Sequence, residues 1–229
     1  MLRSLEATLK QNLDREQLSG VLRISSEAAL KGNMIAPSLS GFRQQYPGIK
    51  IDLTVRTGRS LDIEDYDLTI FGTRVGADLD VIARPVLQAD VILVASTAYI
   101  ERRGMPTSLQ DLLHHDCVYT RREEDERFRG WRLWQSDAPD NVVELQIEPV
   151  LVANHTDTLL KTTLDGIGIA SMSAKIVEPY LANGSMVRVL APLITAQLIM
   201  YVGLPSRKFI PQRVQAYLDY LMDFVKQQN

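Results

Sequence analysis

Small hydroxyl and amide side chains recur in this 229-residue sequence where predicted strands give way to helices. In open α/β sheets, ligands collect at the carboxyl ends of strands, where helix N-termini offer free N–H groups to anionic oxygens. The positions that fit are Ser25-Ser26, Thr57-Gly58 and Asn154-His155-Thr156, together with Arg74, a fixed cation for a carboxylate. Each hydroxyl is alternatively a helix cap, but their joint recurrence favours a binding site.

Residue patterns typical of catalysis or metal binding do not occur in the sequence. His114, His115 and His155 lack the spacing of a zinc motif, and the single Cys117 cannot build a thiolate site. The glycines of Gly166–Gly168 follow a predicted helix rather than a strand, which favours a helix C-cap over a dinucleotide-binding loop. We therefore expect a binding module without metal or cofactor, and not an enzyme.

The amino-acid composition limits the kinds of partner that this chain can bind. Apolar residues make up 45% and charged residues 23% of the chain, with a net charge of -3, as in a globular protein without a sequence-wide attraction to nucleic-acid phosphates. One cysteine excludes an internal disulfide and favours a reducing cytoplasm. Apolar runs such as Val91–Ala95 are far shorter than the roughly 18 residues that a membrane span needs.

The secondary-structure elements that must position these residues begin, along the chain, in the order helix, strand, helix, strand. Leucines at helical spacing predict an amphipathic helix over residues 2–17, and alternation predicts strands over 20–25 and 49–55. Between the strands, residues 28–46 have helical spacing, and Pro37 predicts that this helix begins nearby. A strand–helix–strand order is the start of a parallel α/β sheet.

Further strands and helices alternate to the C-terminus. Ser96 and Ser108 are placed to cap two helices, and Asn154, Thr156 or Asp157 to cap a third. The predicted strands are 68–71, 81–96, 117–120, 131–134, 142–147, 151–153, 167–172, 186–190 and 197–204. The predicted helices are 97–103, 108–113, one that ends at Gly166, 173–181 and a last helix through Val214, Tyr217, Leu218, Leu221 and Val225.

The motifs along the chain resemble, as a set, those of the regulatory domain of LysR-type transcriptional regulators. Gly20–Ser25, then Met34–Leu39 and Phe42–Pro47, are similar to the family's "G-x-L-R-I-S … L-x-P-x-L-x-x-F-x-x-x-Y-P" signature. Further matching segments are Tyr66–Ile70, Ala83–Pro85, Val94–Tyr99, Asp111–Cys117, Asn154 and Asp165–Ala170. The stretch 58–67 departs from the family by being short, so a reduced second crossover helix is expected.

The resemblance implies a fold. It is the two-lobed periplasmic-binding-protein type 2 fold of the α/β class, in which each lobe is a mixed, mostly parallel sheet flanked by helices. Lobe I would comprise residues 19–95 and 197–229, and lobe II residues 96–196, with hinges near Ala95-Ser96 and Thr195-Ala196. Residues 1–18 would be the end of a linker helix whose winged helix-turn-helix head is absent.

The resemblance also implies a function: sensing a small polar or anionic effector between the lobes. The signal would pass through packing in a homodimer or tetramer, and promoter DNA would be bound only by the missing N-terminal domain. The implied effector-binding positions are Ser25, Ser26, Thr57, Gly58, Arg74, Thr120, Asn154, Thr156 and Gly168. A solute-binding protein of a transporter, or an enzyme on the same fold, is the alternative.

Overall fold

The computed structural model describes residues 18–27, 34–56, 62–76, 81–121, 130–205 and 210–227. The chain divides into two compact units, residues 1–87 with 200–229 (unit 1) and residues 88–199 (unit 2). Two strands, β4 (Ala83–Ser96) and β12 (Ala196–Gly203), contain both divisions. The predicted lobe boundaries fall in these strands too, and the hinge positions stay a prediction. The predicted helix over 2–17 lies outside the described residues.

Unit 1 is built on parallel strands. β1 (Gly20–Glu27) pairs in parallel with β2 (Ile49–Arg56) on one side and with β3 (Leu68–Arg74) on the other. Across the unit the strand order is β2-β1-β3-β12-β4. The predicted strand–helix–strand opening is confirmed, although each of the first three strands extends beyond its predicted end.

Two helices cover the apolar face of the unit 1 sheet. Helix α1 (Ala36–Gln45) has a proline in its first turn, as the position of Pro37 predicted, because proline tolerates the first turn, where its missing N–H would have no partner. Helix α6 (Gln212–Gln227) turns its predicted apolar stripe inward. Phe42 of α1 packs edge-on against Tyr217 of α6, with ring centroids 5.0 Å apart. Both lie in one core with the strand residues Leu22 and Ile24.

The expected reduction of the second crossover helix stays a prediction, because residues 57–61 of the connection from β2 to β3 lie outside the described residues. In the described part of this connection, residues 62–67, the one helical element is a single 3₁₀ turn at Ile63–Asp65. Ile63 is nevertheless buried, and a Cβ on Gly203 would come within 2.7 Å of its Cδ1. This short turn therefore packs directly on β12, over the sheet face opposite α1 and α6.

Unit 2 contains a mixed sheet. β5 (Cys117–Thr120) runs parallel to both β8 (Pro149–Ala153) and β9 (Ile169–Ser173). β4 runs antiparallel to β9 and also to β10 (Met186–Val189). The prediction of a mixed sheet is confirmed, but these four strand pairings are two parallel and two antiparallel rather than mostly parallel.

A second, antiparallel sheet of unit 2 contains β11 (Leu193–Ile194), β6 (Gly130–Gln135) and β7 (Ala138–Gln146) in that order. β11 was not predicted, because two residues are too few to show an alternation. It exists because Leu193 and Ile194 pair with Gln135 and Trp134 of β6.

The first helices of unit 2 begin at the predicted caps. Ser96 precedes α2 (Thr97–Arg103), and its Oγ accepts the N–H of Tyr99 at 3.2 Å. Ser108 precedes α3 (Leu109–Leu112) and forms a capping box with Asp111. Both predicted caps are confirmed.

Two more helices, α4 (Thr156–Leu164) and α5 (Ala174–Ala182), complete unit 2. Gly166 follows α4 with φ +80°, and Ile167 donates its N–H to the Thr162 carbonyl at 3.1 Å. The glycine therefore ends the helix in a left-handed turn, which confirms the helix-termination interpretation.

Residues of β4 alternate between two cores in unit 2. Leu93 and Ala95 face one core, and Ile92 and Val94 face the other. A strand that is buried on both faces reads as a continuous apolar run, and this is why the sequence from 91 to 95 has no polar residue.

Candidate functional site

The two predicted serines of unit 1 lie inside a strand, which corrects the expectation that they follow it. β1 continues to Glu27, so Ser25 and Ser26 point to opposite faces of the sheet. Ser26 points to the face of the apolar core and donates from Oγ to the Glu27 carbonyl at 3.2 Å. Ser25 points to the other face, where its Oγ is buried and has no hydrogen-bond partner.

Arg74 is not brought close to these serines. It is exposed and is the last residue of β3. Ser25 pairs in register with Thr69, five residues earlier in that strand, which at about 3.3 Å per residue puts the two Cα positions roughly 16 Å apart along the strand direction. Thr57 and Gly58 fall outside the described residues.

Three of the four predicted positions of unit 2 do come together. Thr120 is the last residue of β5 and pairs with Ala153, the last residue of β8. Arg121 donates its N–H to the Ala153 carbonyl at 2.7 Å, which fixes the two strand ends against each other. Asn154 follows Ala153 directly and α4 begins at Thr156, so these polar residues lie beside the helix N-terminus at this edge of the sheet.

The N-cap position of helix α4 is not occupied by any of the residues predicted to cap it, Asn154, Thr156 or Asp157. The N-cap residue is His155, which makes no side-chain cap hydrogen bond. Its Nδ1 lies 3.2 Å from the Oγ1 of Thr158 instead. The positive end of the α4 dipole therefore lies beside the carboxyl ends of β5 and β8, and the side chain of its N-cap residue forms no cap hydrogen bond there.

Gly168 lies at the opposite end of the unit 2 sheet. It precedes β9, whose first residue, Ile169, pairs with Cys117 at the start of β5. A Cβ at this position would collide with the carbonyl oxygen of Asp116, which also accepts the N–H of Ile169 at 2.8 Å. The structure thus gives Gly168 a packing role far from Thr120 and Asn154.

The face of the unit 1 sheet to which Ser25 points carries polar residues that the sequence analysis did not single out. Thr69 is buried next to Ser25. Arg56 forms an ion pair with Asp62, and its Cζ lies 5.6 Å from the centroid of the Tyr66 ring. The alternation of polar residues at 50, 52, 54 and 56 was the available signal, because period two places them on one face.

Glu27 lies on that same face and is partly buried. Burial raises the pKa of its carboxyl group, and the N–H of Gly72, 3.1 Å from Oε2, opposes the rise. Desolvation dominates because the charged form of a carboxylate loses more hydration than one hydrogen bond returns. Glu27 therefore holds its proton to a higher pH than an exposed glutamate does.

Neither a metal site nor a membrane-spanning helix is found where the structure describes the chain. No group of three or more His, Cys, Asp or Glu side chains converges there. None of the described helices has the length and apolar content that crossing a bilayer requires.

Comparison with known proteins gives a consistent result. The model of the LysR substrate binding domain matches residues 15–226. A putative transcriptional regulator of Pseudomonas aeruginosa is 27% identical over 201 residues, which are 85% of this chain and 63% of the relative. The HTH-type transcriptional regulator DmlR of Escherichia coli is 32% identical over 180 residues, 77% of this chain and 56% of the relative. The chain thus spans about three-fifths of such relatives.

Solved structures agree with these matches. The regulatory domain of AphB from Vibrio vulnificus superposes with a TM-score of 0.73 at 28% identity, covering 90% of this chain and 98% of that one. The regulatory domain of CrgA from Neisseria meningitidis gives 0.76 at 24% identity, covering 91% and 100%, and supports the fold alone. The predicted two-lobed periplasmic-binding-protein type 2 fold is confirmed.

Proposed function

Because the chain belongs to the LysR substrate-binding domain family, we propose that it is the effector-sensing part of a LysR-type transcriptional regulator. Two facts support this. The similar solved domain from Vibrio vulnificus is a regulatory domain, and the longer relatives are transcriptional regulators. Its activity is ligand binding rather than catalysis.

The effector is a small polar or anionic metabolite. The observation that carries this is the N-terminus of α4, whose N-cap residue His155 makes no side-chain cap hydrogen bond and which lies where β5 and β8 end. The dipole of a helix favours negative charge at its N-terminus, and Thr120, Asn154 and Thr156 add hydroxyl and amide groups beside this one.

Effector binding changes how copies of the regulator assemble. We place the regulator in the cytoplasm as a homodimer or tetramer that binds promoter DNA through an N-terminal helix-turn-helix domain outside these 229 residues. A ligand shifts such an assembly only by its difference in affinity for the two states, and moving a population from 1:99 to 99:1 takes about 5.5 kcal/mol.

A thermal-shift screen of this chain against central and aromatic carboxylates tests the proposal. An effector at 100 times its dissociation constant should stabilise the fold by about 2.7 kcal/mol. In Asn154→Ala its affinity should fall about tenfold, which corresponds to 1.4 kcal/mol. The matched control is Asn141→Ala, an exposed asparagine of β7, which should bind as the wild type does.

Assembly is measured in the full-length protein. The effector should change its sedimentation coefficient or its footprint on promoter DNA, and Asn154→Ala should need more effector for the same change. A metabolite that binds this chain tightly and leaves both properties of the full-length regulator unchanged would argue for a storage or transport role instead.

A further inference from the structure

Unit 1 contains several buried side-chain polar atoms that form no hydrogen bond within the structure. In the described part of the chain, four buried side-chain polar atoms have no hydrogen-bond partner, and three of them are in unit 1. These are Ser25 Oγ, Thr69 Oγ1 and Arg56 Nη1. Native proteins satisfy nearly all of their buried polar groups, so a cluster of unsatisfied ones points to a ligand.

The three atoms belong to one sheet face. Ser25 of β1 pairs in register with Thr69 of β3 on one side and with Thr54 of β2 on the other. Arg56 is two residues beyond Thr54, so its side chain leaves the sheet on the same side. We call Ser25, Thr69 and Arg56 the donor set.

Arg56 is held in place from two sides. Asp62 forms an ion pair with Nη2, and the guanidinium lies near the Tyr66 ring. Arg56 is the last residue of β2, and Tyr66 lies before the first residue of β3. A guanidinium 5.6 Å from the Tyr66 ring is therefore directed back along the face, towards the level of Ser25 and Thr69. Its buried Nη1 is a positioned donor without an acceptor.

We propose that the donor set binds the carboxylate group of a small ligand within unit 1. A guanidinium can only donate, and each hydroxyl can donate its one hydrogen, so an acceptor-rich partner can satisfy all three groups at once. A planar carboxylate offers two oxygens, one for Arg56 and one for the two hydroxyls. Asp62 already compensates part of the charge of Arg56, and Glu27, the remaining acid at this level, accepts the N–H of Gly72.

This inference deepens the proposed function by naming the ligand class, and it rests on that function for its purpose. Its residues differ from those at the N-terminus of α4, so the two can be tested separately. Binding at the donor set should change the signals of unit 1 residues, and binding at α4 should change those of unit 2 residues.

The test is an NMR titration of the ¹⁵N-labelled 229-residue chain at constant ionic strength. The probes are acetate and benzoate, with acetamide and benzamide as neutral controls of the same shape. The carboxylates should shift the Arg56 side-chain N–H and the Thr69 amide saturably, and the amides should not. Arg56→Met should weaken the binding about tenfold or more, and Arg132→Met, which breaks an exposed ion pair with Glu144, should leave it unchanged.

Thr69→Val tests whether the Thr69 hydroxyl binds a ligand or is only a destabilising buried polar group. The substitution removes the unsatisfied hydroxyl and keeps the shape of the side chain. The unligated variant should be at least as stable as the wild type and should bind the carboxylates more weakly. Shifts that persist undiminished in both Arg56→Met and Thr69→Val, or no shift in unit 1 at all, would overturn the inference.

The same titration of Asn154→Ala distinguishes the two ideas. Carboxylate shifts confined to α4 and lost in Asn154→Ala would support the proposed function and refute binding at the donor set. Saturable shifts at Arg56 that survive in Asn154→Ala, with no response at α4 to any carboxylate, would support the donor set and remove the main argument for the α4 site.

Discussion

The hydroxyl oxygen of Ser38 lies 2.9 Å from the phenol oxygen of Tyr217, and neither side chain is exposed to solvent. The Ser38 hydroxyl also donates to the Ile35 carbonyl at 2.8 Å. Since a serine hydroxyl has one hydrogen, Tyr217 must be the donor in the shared bond. This directional bond ties α1 to α6 inside the core of unit 1.

Tyr217→Phe and Ser38→Ala should therefore cost unequal amounts of stability. Tyr217→Phe removes one hydrogen bond and leaves Ser38 bonded to Ile35, so it should cost about 1 kcal/mol. Ser38→Ala leaves the buried phenol of Tyr217 without an acceptor, so it should cost roughly 1–3 kcal/mol. Urea unfolding of both variants measures the difference. The double variant should cost less than the sum of the two, and equal single-variant costs would contradict the assigned direction.

Alkaline pH should destabilise the fold through Tyr217. Burial raises the pKa of the phenol from 10.0 to about 12. Between these values the unfolded chain loses the proton and the folded chain keeps it, so stability that is complete below pH 10 falls as the pH rises towards 12. Two pKa units correspond to about 3 kcal/mol at most.

Tyr217→Phe is the control for that pH dependence. Urea midpoints measured from pH 9 to pH 11.5 should fall less steeply in this variant than in the wild type. Tyr201→Phe, a matched change at a partly exposed tyrosine of β12, should retain the wild-type slope. A slope that Tyr217→Phe does not alter would show that the phenol titrates normally in the folded chain.

The thiol of Cys117 should be inert in the native protein. It is buried, and burial raises its pKa from 9.0 to about 12, with the charge of Asp116 adding to the rise. Because the thiolate is the reactive form, an aromatic disulfide reagent at pH 8 should modify Cys117 only as fast as the chain opens. Rates that increase with urea in step with unfolding would agree, whereas rapid labelling without urea would not.

Gly168→Ala should destabilise unit 2. The new Cβ meets the backbone carbonyl of Asp116, which cannot move without disturbing β5. Overpacking of this kind costs about 1–3 kcal/mol. Gly72→Ala in β3 is the control, because its Cβ would have the Glu27 carboxylate as its nearest neighbour at an ordinary 3.7 Å. Equal unfolding free energies for the two variants would contradict the packing role of Gly168.

Local patterns in the sequence determined which elements form and in what order. Helix starts and ends depend on residues a few positions apart, so the sequence displays them directly. Examples are the proline in the first turn of α1, the serine caps of α2 and α3 and the glycine after α4. The family motifs, read as a set, also indicated the two-lobed fold.

Tertiary structure decided which candidate residues meet. Ser25 and Ser26 are adjacent in sequence but point to opposite faces, because β1 continues to Glu27. Gly168 is near Asn154 in sequence, yet α4 carries the chain back to the other end of the unit 2 sheet before β9 begins. Strand pairing sets both outcomes, and pairing depends on residues far away along the chain.

The hydroxyl residues from which the sequence analysis began show this division most clearly. The sequence alone predicted polar side chains at strand ends, which is correct for Thr120 and Asn154 and wrong for Ser25 and Ser26, and it displayed the motifs of a ligand-sensing family. Only the tertiary structure distinguished Thr120 and Asn154, which meet beside the N-terminus of α4, from Arg74 and Gly168, which do not. Strand pairing brings β1, β2 and β3 side by side, and the register of these pairs places Ser25 next to Thr69 and on the same sheet face as Arg56.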